Sequence, residues 1–124
     1  LYTAYNNWGN ASIKKWQTLE NEWCASILMS QDPIAIDSVA LDLIRNEPNL
    51  TTGNPSFTAD LCNYLHEAAQ ANHPPSGTVY DPEGKGRKLP SLGVHEHWNN
   101  AADKKYSRNL GRQAGIELMA ASAD

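Results

Sequence analysis

Two histidines one residue apart, His95 and His97, are the residues of this sequence best placed to do chemistry. On an extended chain alternate side chains share a face, so both imidazoles would project together and could chelate a divalent metal or exchange protons with a substrate. Glu96 would face the other way. Zinc generally takes three or four protein ligands, and neither Cys-x-x-Cys nor His-Glu-x-x-His accompanies the pair. Candidates for completing such a site are His73, Asp81 and the Cys62/His66 pair, which would lie one helical turn apart. The plainer reading packs Cys62 and leaves His66 at the core boundary.

A carboxylate is the natural companion of such imidazoles, and Asp37 stands out. Placed at about 100° per residue, Ile34, Ile36, Val39, Ala40, Leu41, Leu43 and Ile44 form one broad apolar arc, and Asp37 falls inside it. Ser38, Asp42, Arg45 and Asn46 take the opposite, solvated side. An ionised carboxylate away from water needs a partner, a hydrogen bond or a metal. Asp37 is therefore expected to orient or coordinate beside His95 and His97, as a catalytic residue or a metal ligand. The alternative is that it pins a neighbouring loop.

The elements that would hold these residues can be read from the punctuation of the chain. Residues 1–22 mix aromatics with Asn, Gly and Lys and predict an irregular lead-in. Residues 23–29 are nearly all apolar, with Cys24 as a packed thiol, and predict a strand covered on both faces. Asp32-Pro33 then combines an N-cap acid with proline at the first helical position, so a helix should run from there to about Arg45. A second helix should start near Ser56 or Thr58 and reach about Ala71, stopped by Pro74-Pro75. Residues 73–124 form a Gly- and Pro-rich ordered segment. The expected class is α/β or α+β, a strand–helix–helix core within a larger α/β domain.

That order puts the Ser30 to Asp32 corner where ligands bind in open α/β folds, so Asp32 is a candidate ligand-binding residue as well as a cap. Trp98, Asn99 and Arg108, with Tyr106 nearby, could line a cleft for a small molecule or glycan. They could equally anchor the irregular segment.

Composition narrows the classes. With 124 residues, 40% of them apolar, the chain can bury at most one core. No apolar run approaches the roughly 18 residues of a membrane span. The net charge of −4 and a single small basic cluster, Lys85, Arg87 and Lys88, disfavour nucleic acid. No nucleotide, haem or iron–sulfur motif appears, nor a Gly-x-Ser-x-Gly elbow. Asp81 to Gly86 resembles the start of a calcium loop, but Lys85 stands where a ligand oxygen is needed.

Beyond these single features, Ser30-Gln31-Asp32-Pro33-Ile34-Ala35-Ile36-Asp37-Ser38-Val39 resembles the Ser-Gln-Asp-Pro-Val-Ala-Ile-Asp-Ser-Val segment of DUF362 proteins. The blocks Asn63 to Ala69, Pro74 to Thr78 with Tyr80-Asp81-Pro82, Ser91 to Asn100, Tyr106 to Gly111 and Gly115 to Leu118 resemble the C-terminal region of exported bacterial members. The resemblance covers most of residues 23–118. It implies a periplasmic or extracellular setting and a partner in the preceding, N-terminal part of the same protein, but it carries no established reaction. The expected function is metal-assisted or general acid–base hydrolysis by Asp37, His95 and His97. The alternative is a non-catalytic binding module in which those groups are structural.

Overall fold

The structure, a computed structural model, describes residues 15–48 and 63–121. Helix α1 spans Pro33–Arg45, and helix α2 spans Asn63–Ala69. Short 3-10 turns occupy Gln17–Leu19 and Arg108–Leu110. The expected start of α2 and Cys62 lie outside the described residues.

Helix α1 begins as its sequence dictates. Pro33 sits where no N–H is needed, and the Asp32 carboxylate accepts hydrogen bonds from the N–H groups of Ile34 and Ala35, both at 2.9 Å. At the other end the Asn46 side chain donates to the Asp42 carbonyl at 2.8 Å. Its buried stripe is Ile34, Ser38, Leu41 and Asp42, spaced so that they stack along one side of the helix. Ile34 and Leu41 pack on Leu65 of α2, and Val39 packs with Trp98, Tyr106 and Ile116.

The α/β expectation is overturned. Among the described residues there is no sheet, and the β pairing is one isolated antiparallel bridge between Trp16 and Glu22. Residues 23–29 are irregular, with a bend at Cys24, and exposed, with Ile27 at 87% and Met29 at 89%. A strand exists only through the ladder that satisfies its backbone, and among the described residues no neighbouring strand is present there. Cys24 is likewise exposed rather than packed.

Side chains do the bracing that a sheet would otherwise do. Glu96 accepts from the N–H groups of Ser107 at 3.1 Å and Ile116 at 2.5 Å. Asn109 accepts from the Tyr106 and Leu118 N–H groups, Asp81 from those of Lys85 and Gly86, and Glu67 from Ser76 and the Tyr80 hydroxyl. Glu47, fully buried, accepts from the N–H and hydroxyl of Thr18. Two carboxylates, Asp32 and Glu96, leave little room beside them. At Gly93, with φ of 155°, a Cβ would collide with the Asp32 carboxylate. At Gly115, with φ of 109°, one would come within 2.8 Å of Glu96 Oε1.

Candidate functional site

Helix α1 and residues 93–98 run side by side in the same direction and are joined rung by rung. Asp32 Oδ2 accepts from the Val94 N–H at 2.9 Å, Ser38 Oγ lies 2.8 Å from His95 Nδ1, and Asp42 Oδ1 lies 2.7 Å from His97 Nδ1. Asp42 Oδ2 also accepts from the Trp98 N–H and from the Tyr106 hydroxyl, each at 2.9 Å. The match is geometric. Residues four apart on a helix are separated by about 6 Å along its axis, and alternate residues of an extended chain by roughly 6.5 Å. Ser38 and Asp42 therefore meet His95 and His97 in register.

Ser38 Oγ lies 2.7 Å from the Ile34 carbonyl oxygen and 2.8 Å from His95 Nδ1, and its one hydrogen serves one of the two. The Nε2 atom of His95 is buried without a hydrogen-bond partner. The Asp42 carboxylate requires N–H at His97 Nδ1, which leaves Nε2 of a neutral His97 as an acceptor.

Charge is sparing here. Burial, followed by the neighbouring His66 and His97, pulls His95 down from 6.5 to about 4. Tyr106 is pushed far above the ordinary phenol range, first by its burial and then by the Asp42 charge. The His95 ring makes edge-on contacts with His66 and His97, at centroid separations of 4.5 Å and 4.9 Å. The Asp42 side chain is 2% exposed and that of His97 38%. His97 opens with Arg45, Asn46, Trp98 and Asn100 onto a polar hollow of about 320 Å³.

The sequence-predicted residues fall into three groups. His95 and His97 come together as expected of alternate residues, with Glu96 turned away to hold the tail. Asp37 does not join them: it is exposed and makes no hydrogen bond to the described residues. The expectation that Asp37 points inward is corrected, and so is the assignment of Ser38 and Asp42 to water. Asp42, not Asp37, is the carboxylate that contacts His97. Asp32 is committed to the helix cap and to Val94. Trp98, 9% exposed, packs in the core while touching the hollow. Asn99 pairs with Lys105 and Asp103 in a surface turn, and Arg108 forms an ion pair with Glu117 at 3.2 Å. His73 is exposed, and Asp81 closes its own turn.

Sequence reasoning passed over Ser38, Asp42 and the full part of His66. One signal was present. The four-residue spacing of Ser38 and Asp42 matches the two-residue spacing of the histidines.

Among the described residues no helix is long and apolar enough to cross a membrane. No family model, curated protein or solved structure matches the chain.

Proposed function

We propose that this chain is part of a DUF362-type protein whose α1 and His95–His97 face is a hydrolytic site acting outside the cytoplasm. Its substrate would be a small molecule or glycan derivative with an electrophilic carbonyl or phosphoryl centre. The carrying observation is the contact of 2.7 Å between the buried Asp42 carboxylate and the half-exposed His97 imidazole. A carboxylate that receives Nδ1–H fixes the tautomer and supports the imidazolium that forms during proton transfer. His97 Nε2 would take a proton from water, whose oxygen attacks the electrophilic centre. The same proton would then pass to the leaving group as its bond breaks. The hollow beside His97 is of a size for a small ligand.

A second reading has an observation in its favour. Asp32, Asp42 and Glu96 each hold backbone N–H groups of the irregular segment, as they would in a non-catalytic binding module. A panel of chromogenic esters, phosphoesters and glycosides separates the two. The hydrolytic reading expects turnover of at least one class, with kcat lowered about 100-fold or more in His97→Gln while the fold persists. Turnover indifferent to that substitution, or none at all, would leave the binding module.

A further inference from the structure

The hollow beside His97 differs in charge from the chain that builds it. The chain carries a net charge of −4, yet the carboxylate lining this hollow, Asp42, is 2% exposed and has both oxygens engaged. His97 meets one of them, and the Trp98 N–H and the Tyr106 hydroxyl meet the other. What the hollow offers a ligand is Arg45, His97 and the amides of Asn46 and Asn100. A guanidinium stays charged at any working pH. The hollow is therefore cationic.

A basic residue in the last turn of a helix also suits the helix's own carbonyls, but two of those carbonyls are otherwise satisfied. The Asp42 carbonyl accepts from the Asn46 side chain and N–H, and the Ile44 carbonyl accepts from the Glu47 N–H. These bonds blunt the negative end of α1 where an anion would approach. Arg45 has five N–H donors, enough to hold a protein partner and a ligand oxygen together. Asn46 and Asn100 each carry a second amide hydrogen beyond the one bonded to the Asp42 carbonyl and to Asp103 respectively. Phosphate and carboxylate groups present paired oxygens to such donors, and a guanidinium can meet them with two parallel N–H bonds. A volume of about 320 Å³ admits a small molecule carrying one such group.

We propose that the hollow takes a small anionic substrate, whose phosphate or carboxylate group is bound by Arg45 beside His97. This deepens the hydrolytic reading and rests on it for turnover, and it narrows the substrate class to oxyanions, setting neutral glycosides aside. Binding itself requires only the hollow.

The test is a solution NMR titration of the full chain with phenyl phosphate, benzoate and the neutral benzyl alcohol. One or both anions should shift the His97 ring and Trp98 indole resonances saturably, and benzyl alcohol should bind at least about tenfold more weakly. Saturation by phenyl phosphate alone would assign a phosphoryl substrate, and by benzoate alone a carboxylate one. Arg45→Gln should weaken the anion about tenfold, Arg45→Lys should recover part of that loss, and Arg112→Gln, at an exposed arginine outside the hollow, should change nothing. The unsubstituted chain decides independently of how any variant folds, through the place of the shifts and the preference for anions. No saturable shift, benzyl alcohol binding as tightly as the anions, affinity that survives Arg45→Gln, or shifts centred on Lys85, Arg87 and Lys88 instead of His97 overturns the proposal. Anion binding at His97 without turnover of any ester or phosphoester would keep it and remove the hydrolytic reading. Turnover of neutral esters that depends on His97, with no anion binding, would do the reverse.

Discussion

The two sides of helix α1 behave in opposite ways. One side carries Ser38 and Asp42, polar residues that are buried at 0% and 2% exposure because residues 93–98 and Tyr106 satisfy them. The other side, with Ala40, Leu43 and Ile44, faces residues 24–28 across an apolar cleft of about 530 Å³. Beside it Ile27, Met29 and Met119 stand exposed. Polarity alone decides neither side. A polar group goes inside when each of its hydrogen bonds is met there, and an apolar one stays outside when nothing covers it.

The strongest way to break this contrast is to empty the polar side. Asp42→Ala would leave the Tyr106 hydroxyl and the Trp98 N–H buried without partners, at a cost on the order of 3 kcal/mol. Chemical denaturation measures it, and a loss under 1 kcal/mol would mean that water replaces the carboxylate.

Acid should act on the same side more gently. The folded state holds His95 at about 4 against 6.5 unfolded, so below 6.5 the unfolded chain takes up a proton that the folded one refuses. Stability contributed by neutral His95 is therefore lost as pH falls from 6.5 toward 4 and changes no further below that. Burial is the first cause of that lowering, His66 and His97 contribute to it, and Asp42 opposes it. After allowance for solvent screening the loss is on the order of 1 kcal/mol. Denaturant midpoints of metal-free protein across that window check it, and the slope should flatten in His95→Gln.

The apolar side should hardly respond. Ile27→Ser removes a side chain already in water, so stability should stay within about 0.5 kcal/mol. A larger drop in thermal unfolding would show that residues 24–28 are covered in solution, and the comparison of the two sides would fail.

The legible parts of the sequence were those governed by local chemistry. Asp32-Pro33 starts α1 and Asn46 follows its end, because capping involves neighbours in the chain. The shared face of His95 and His97 followed from strand-like alternation. The strand at residues 23–29 was misread because an apolar run implies cover, whereas cover depends on other elements. Asp37 and Asp42 exchanged their expected inward and outward placements for a related reason. An apolar arc as broad as that of α1 leaves its orientation open, and the deciding partners, Trp98 and Tyr106, lie more than fifty residues away.

Residues 95–97 also work as a two-sided tape. One side sticks to α1 through the histidines, and the other sticks to the tail through Glu96. A one-residue insertion between Val94 and His95 would flip the whole strip, presenting Glu96 to Ser38 and Asp42 while the histidines faced Ser107 and Ile116. The reading frame of three consecutive residues thus governs two attachments at once, and the order of the tail becomes a remote indicator of whether the histidines are in place.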